Sequence, residues 1–361
     1  MKSILRIVVA LIFIASGFVK AVDVVGFSFK LEEYFSPTVF NMPFFESIAL
    51  PIAILVVALE LILGFLVLLK IRLRFSLAAL ILLCVFFAFL TFYSAYFNKV
   101  TDCGCFGDAI KFTPWQSFVK DIILLLALVA LWFMYRNSFG LLQTKKPGKY
   151  IALSVLVVLM FLITLHGILH EPLIDFRDYK IGTDLKAEKE KIEKNPSEYK
   201  TFYSLKNSAT SEIIEINQDE YVNDKKYWEE SSPWKIEEGK TSSKIVKEGY
   251  SSEIAKFKPE TPEGIDLTNE IINAPKAILV FSYDPKNADA QLIGETEYNL
   301  SSQKNTYILG ISTNPNSFKT IRNALMDGTA IKTIARSNPF VLVLENGKIV
   351  DKKPAKDFLK Q

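Results

Sequence analysis

Cysteine and histidine are scarce in this 361-residue chain: three cysteines, at 84, 103 and 105, and two histidines, at 166 and 170. No cysteine follows Cys105, so everything beyond it is barred from dithiol chemistry of its own. There is no basic run of the kind that tracks a phosphate backbone, which argues against a nucleic-acid partner. There is also no A-x-A-like cleavage site behind the basic start and first apolar segment. Val19-Lys20-Ala21 is a poor substitute, so that segment reads as a retained helix and not a removed signal peptide. Charge is thin in the first half. Residues 1–170 hold 14 Lys+Arg and 8 Asp+Glu, the remainder 28 and 31, which makes the two parts about +6 and −3.

Apolar sequence fills the space that charge leaves. Half of all residues are hydrophobic, 28 of them Phe, and the mean hydropathy is +0.23, too apolar for an ordinary soluble domain. Five runs, at 4–22, 48–69, 75–97, 115–135 and 150–169, reach the roughly 20 helical residues that cross about 30 Å of hydrocarbon. Backbone groups in lipid must be satisfied internally, so all five are expected as helices surrounded by membrane lipid. Nine basic residues (Lys2 and Arg6, then Lys70, Arg72 and Arg74, then Arg136, Lys145, Lys146 and Lys149) mark one side. The positive-inside rule makes that side cytoplasmic, with the N-terminus inside and residues beyond 170 outside.

The fourth run opens on Thr113-Pro114-Trp115-Gln116, a capping-box pattern with proline at N1 and a tryptophan suited to the interface. The short outer loop before it reads Asp102-Cys103-Gly104-Cys105-Phe106-Gly107-Asp108. A disulfide bridging C-x-C closes a small strained ring, and strained exposed disulfides are the reducible ones. Gly104 frees the backbone for it. Asp102 and Asp108 are expected to disfavour the thiolate. Redox exchange, thiolate metal binding and an inert disulfide remain three readings of Cys103 and Cys105. Cys84, about 20 Å deeper at 1.5 Å per residue, is expected only to pack. Glu60, in mid-membrane, with Lys20 leaning toward it, reads either as a polar spot for a quinone head group or proton, or as a structural pair. His166 and His170, one turn apart, read as ordinary helix-end residues rather than a metal site.

The Ser16-Gly17-Phe18-Val19-Lys20 stretch with Asp23, together with the Cys-Gly-Cys-Phe-Gly loop, resembles the DoxX/MauE group of bacterial membrane proteins over residues 1–140. That resemblance implies a four-helix core in the bacterial cytoplasmic membrane, with Cys103 and Cys105 as the redox pair. It also implies association with thiol–disulfide chemistry, maturation of exported proteins and quinone-linked oxidation. The fifth helix (141–170) and the soluble extension depart from a minimal member.

After the membrane half, residues 185–194 alternate Lys and Glu like a solvated helix, and 199–270 hold short β-like runs near 211–216 and 244–246. The region 171–271 is therefore expected to be a linker with mixed α/β structure. The last stretch, 272–361, is predicted as strand 276–283, helix 287–300, strand 307–312, helix 317–326 and strands 340–344 and 348–350 across Asn346-Gly347, then a tail helix: βαβαββα. The segment 338–348 resembles the strand and hairpin of thioredoxin folds, with Pro339 at the cis-proline position. Where such folds carry C-x-x-C, this chain has Asp284-Pro285-Lys286-Asn287. The expected architecture is thus an α-helical membrane bundle followed by an extracytoplasmic α+β region that ends in a cysteine-free thioredoxin-like domain. The expected function is thiol–disulfide exchange with an exported dithiol protein or thioredoxin-like partner docked near Pro339, and with a membrane quinone; no resident metal is expected. A membrane anchor presenting a binding module, and thiolate metal handling, are the alternatives.

Overall fold

A computed structural model describes residues 2–97, 99–100, 104, 106–138, 147–237, 239–247 and 249–360. Helices α1 (Lys2–Val22), α4 (Ala49–Leu69), α5 (Leu73–Phe97), α6 (Pro114–Tyr135) and α7 (Pro147–Leu169) are the five long apolar ones. Each begins and ends within three residues of its predicted run. By length and composition all five can cross a membrane, and the chain is a multi-pass membrane protein. The capping box at the head of α6 is formed: the Gln116 backbone N–H donates to Thr113 Oγ1, and the Thr113 N–H donates to Gln116 Oε1.

Two apolar clusters hold the bundle. Phe13, Leu77, Leu80, Leu128 and Leu131 pack α1, α5 and α6 together, while Ala21, Ala53, Val57 and Leu61 join α1 to α4, with Met160 of α7 against them. Leu82, Phe133 and Ile151 stay exposed, as residues facing lipid do. The stretch after α1, which showed no apolar run, is helical. Asp23 caps α2 (Val24–Phe35) by accepting from the Gly26 N–H at 2.9 Å, and the short α3 (Pro43–Ser47) follows.

Residues 183–258 form one compact unit, and residues 1–182 with 259–361 form the other. In the smaller unit α8 (Leu185–Lys194) precedes β1 (Glu198–Asn207). That strand pairs antiparallel with β2 (Ile213–Asn217) on one side and with β3 (Trp234–Ile236) and β4 (Ser242–Lys247) on the other. The short α9 (Gln218–Asn223) follows β2.

The rest of the larger unit contains α10 (Thr268–Asn273), β5 (Lys276–Ser282), α11 (Ala290–Ser301), β6 (Tyr307–Ser312), β7 (Asn323–Leu325), α12 (Gly328–Ile334), β8 (Phe340–Glu345), β9 (Lys348–Pro354) and α13 (Ala355–Phe358). The sheet order is β7-β6-β5-β8-β9, with β5, β6 and β7 parallel and β8 and β9 antiparallel. Strand β5 is buried from Ala277 to Ser282, as a strand covered on both faces must be. Asn346 and Gly347 turn the β8–β9 hairpin, both at positive φ.

The helix predicted at 317–326 is not there. Glu297 Oε1 accepts the backbone N–H groups of Lys319, Thr320 and Ile321, and Asn323 exchanges hydrogen bonds with both the N–H and the carbonyl of Phe318. Those side chains take the groups a helix needs, and β7 forms instead. The helix starts later, at α12, where Asp327 accepts from the Ala330 N–H. The order from β5 onward is therefore βαββαββα, with one more strand than expected.

Candidate functional site

Cys103, Cys105 and Asp102 lie outside the described residues; Gly104 and the stretch from Phe106 onward lie within them. Gly104 has φ +64°, and a Cβ there would stand 3.0 Å from Lys30 Cγ on α2, so both conformation and space call for glycine. Phe106 sets its ring at 64° to Phe112. Two residues on, Asp108 turns toward the terminal domain: Arg336 Nη2 donates to Asp108 Oδ2 at 2.8 Å.

Arg336 joins three parts of the chain. Its Nε donates to both carboxylate oxygens of Asp23 at 2.9 Å, and its Nη1 donates to the Lys332 carbonyl. Its side chain is only 4% exposed, with the guanidinium carbon 5.7 Å from the centre of the Phe29 ring. Burial pushes the Asp23 carboxyl upward, but Arg336 and Arg177 outweigh it and hold the group below the usual carboxylate range. Gly26 makes room: a Cβ on it would stand 2.7 Å from Arg336 Nη2. The same contact continues through Lys332, paired with Glu32 at 2.7 Å, and through Tyr283, whose ring meets Phe29 edge-on at 5.2 Å. Burial pushes the Tyr283 hydroxyl up to about 12.

Tyr283 follows β5, and Arg336 precedes β8. These two chain ends are tied to each other: Ser282 Oγ donates to Asn338 Oδ1 at 2.7 Å, and Asn338 Nδ2 donates to the Asp284 carbonyl at 2.6 Å. The Asn338–Pro339 bond is cis, and Pro339 is buried. The end of the sheet that carries Pro339 therefore faces α2 and the cysteine loop.

Below that loop the bundle interior is polar. Lys20 Nζ meets Glu60 Oε2 at 2.7 Å and donates to Ser16 Oγ at 3.0 Å; neither side chain of the ion pair is more than 3% exposed. Lys120 pairs with Asp121 at 2.6 Å, and Thr91 donates to Asp121 Oδ2 at 3.1 Å. Cys84 is buried and donates through Sγ to the Asp121 carbonyl. Lys120 reaches the Phe106 ring, 5.5 Å from its centre, and Phe106 lines this region. The cavity among these groups holds about 10 Å³, the space of one water. A quinone ring does not fit there. A larger hollow of about 110 Å³ between α4 and α7 is lined by apolar side chains, with Thr164 its single polar lining residue.

A second ionic knot lies where the chain leaves α7. Arg177, 2% exposed, pairs with Glu171 and Asp175, and Lys352 of β9 reaches Asp175 at 2.5 Å and Glu171 at 3.5 Å. Burial and then Arg177 lower the Lys352 ammonium to about 8, against the pull of both carboxylates. His170 Nδ1 meets Asp357 Oδ2 at 2.6 Å, with the His166 ring 5.0 Å from that of His170. Among the described residues no cluster of three or more His, Cys, Asp or Glu is arranged to hold a metal.

The sequence singled out Lys20, Glu60 and Asp108 but missed Arg336, Asp23's role as its counter-ion, and Asp121. A Lys120-Asp121 doublet inside an otherwise apolar run was a readable signal for the last. Asp108 is not a lone carboxylate: Arg336 stands against it at 2.8 Å.

Residues 1–134 match the family described as Methylamine utilisation protein MauE. Over 139 residues the chain is 31% identical to Protein TlpB of Flavobacterium psychrophilum, which covers 37% of this chain and 37% of that protein. The chain thus spans little more than a third of that relative's length. No solved structure matches.

Proposed function

We propose that the chain is a thiol–disulfide exchange component of the bacterial cytoplasmic membrane. Its N-terminus is cytoplasmic, and the Cys103–Cys105 loop and terminal domain are extracytoplasmic. Residues 272–361 are read as a thioredoxin-like domain without cysteines. The sheet order, with β8 following a cis Asn338–Pro339 bond, supports that part of the reading. The observation that carries the function is the tie between Arg336 and Asp108, because it fastens the C-x-C loop to the end of the domain where such folds do their thiol chemistry.

The exchange balances without further reagents. A thiolate from the Cys103–Cys105 pair attacks a disulfide sulfur of an exported partner, giving a mixed disulfide and releasing one partner thiolate. The second cysteine attacks the first, closing the C-x-C disulfide and releasing the second partner thiolate. Two electrons pass to the partner, and two protons lost by the pair are taken up by it. The reverse direction uses the same bonds. No step is routed through quinone, since the space at Lys20–Glu60 does not admit its ring. Tyr283, Lys332 and Arg336, at the same end of the sheet as Pro339, touch α2, so a partner that used this surface needs the domain to lift away.

The test is the redox state of Cys103 and Cys105 in cells, read by thiol alkylation, with each cysteine removed in turn. Exchange predicts a mixed disulfide trapped on the remaining cysteine, undiminished when Cys84 is replaced by Ala. A permanently oxidised pair with no trapped partner would leave the chain as an anchor for its extracytoplasmic domain.

A further inference from the structure

We infer that His166 and His170 form a two-imidazole site for a divalent transition-metal ion of the copper and zinc class, with Asp357 as a positioning residue behind His170. The site uses no residue of the cysteine loop and stands whether or not that loop exchanges disulfides.

These are the only histidines of the chain, and they stand one turn apart at the end of α7. Helix α7 ends at Leu169, yet the His170 N–H still donates to the His166 carbonyl at 2.8 Å, so the i, i+4 register holds across the pair. Gly167 fixes the turn that carries them. A Cβ there would stand 2.5 Å from the Val22 carbonyl oxygen, which sets α7 directly on the end of α1. The two ring centres are 5.0 Å apart. Imidazoles that share a metal through one nitrogen each, at about 2.1 Å and near-tetrahedral angles, have their centres about 5 Å apart. The rings already stand at the separation a shared ion needs.

His170 also has the support that metal-ligating histidines have. Asp357 Oδ2 on α13 meets its Nδ1 at 2.6 Å, and an ionised carboxylate only accepts. That nitrogen therefore carries the proton, and Nε2 presents its lone pair. A carboxylate in this place fixes the ring and raises its basicity as a ligand. Lys360 holds the other Asp357 oxygen at 2.9 Å, and Arg177 holds Glu171, so neither acid serves as a third ligand and water completes the shell. The His170 side chain is 44% exposed, which gives an ion its way in. Imidazole ligands suit Cu²⁺ and Zn²⁺, with Cu²⁺ ahead in affinity, whereas Ca²⁺ and Mg²⁺ take oxygen ligands.

The experiment uses the full-length protein in detergent at neutral pH, purified without a histidine tag. Cys84→Ala, Cys103→Ser and Cys105→Ser form the parent background, so that no thiolate competes. Electron paramagnetic resonance with one equivalent of Cu²⁺ counts the bound imidazoles by their nitrogen splitting, and calorimetry measures Zn²⁺ affinity. The parent should show two nitrogens and one Zn²⁺ per chain, with no heat from Ca²⁺ or Mg²⁺. Asp357→Asn should keep both nitrogens and weaken Zn²⁺ binding by roughly 10-fold, the size of effect that follows loss of a carboxylate behind a ligating histidine. His166→Ala and His170→Ala should each leave one nitrogen and weaken binding further. A parent spectrum with one nitrogen or none overturns the site, as does Zn²⁺ binding that survives removal of both histidines. An unchanged affinity in Asp357→Asn overturns its positioning role. If a variant fails to fold, the parent spectrum decides, because the chain has no other imidazole.

Discussion

Replacing Glu60 by Leu removes the carboxylate that Lys20 meets at 2.7 Å in the bundle interior, where neither side chain is more than 3% exposed. The ammonium left behind keeps Ser16 Oγ at 3.0 Å and the rings of Phe87 and Phe27, whose centres lie 4.9 and 5.4 Å away. Stranding one half of a buried ion pair costs about 3–5 kcal/mol, and the two ring faces return on the order of 1 kcal/mol. Glu60→Leu should therefore destabilise the bundle by about 2–4 kcal/mol. Glu60→Gln, which keeps a hydrogen-bond acceptor, should cost less. The double variant Lys20→Met, Glu60→Leu should fall near the wild type, because a buried pair replaced by apolar groups of similar volume is often neutral. The assay is reversible unfolding in detergent micelles, with the wild type, Glu60→Leu, Lys20→Met and the double variant forming a double-mutant cycle. A Glu60→Leu variant within about 0.5 kcal/mol of the wild type, or a double variant as unstable as the single one, would refute the claim that these residues form one desolvated pair.

Lys352, with its ammonium lowered from 10.5 to about 8, binds fewer protons when folded than when unfolded between those two values. Stability from this group should therefore rise across that window, by about 3 kcal/mol in total, and stay flat below it. Comparing unfolding of the wild type and Lys352→Met at pH 7, 8.5 and 10 isolates the effect. Equal slopes would mean that Lys352 stays solvated. Asp23 has the same sign in the acid range: its carboxyl is held low, so its contribution is complete above the ordinary carboxylate pKa and is lost as pH falls through the lowered folded value. In the orientation proposed, a reporter fused after Glu171 acts as extracytoplasmic and one fused after Lys149 as cytoplasmic; the opposite pattern would reverse the compartment of the cysteines.

The five long helices were legible because lipid imposes one rule on every residue they contain, so a run of apolar side chains suffices to name them. The capping box at Thr113 and the hairpin at Asn346-Gly347 were legible for a related reason: each is a contact between residues at most three apart. Helix α2 escaped because its signal is weak. One Asp cap precedes a mixed stretch, and what fixes the helix is packing of Phe27 and Leu31 against α4, which periodicity alone does not separate from a loop. The false helix at 317–326 failed on a single distant carboxylate, Glu297, which takes three backbone N–H groups.

The candidate site divides along the same line. Its cysteines are a local motif and stood out at once, whereas Arg336, held on Asp23 and Asp108, did not. Arg336 lies 313 positions from Asp23 and 228 from Asp108, in a stretch with no pattern of its own. A guanidinium, unlike an apolar stripe, leaves no periodic trace; its partners are chosen by the fold. Lys20 and Glu60 were noticed because each is costly in lipid by itself, which advertises a partner even when the partner is 40 residues away. Arg336 sits outside the apolar runs, where charge is ordinary, so nothing in its neighbourhood marked it as buried. The residues most readily missed are thus charged side chains of a soluble segment that dock onto a membrane segment: each half looks unremarkable alone, and only their contact desolvates them.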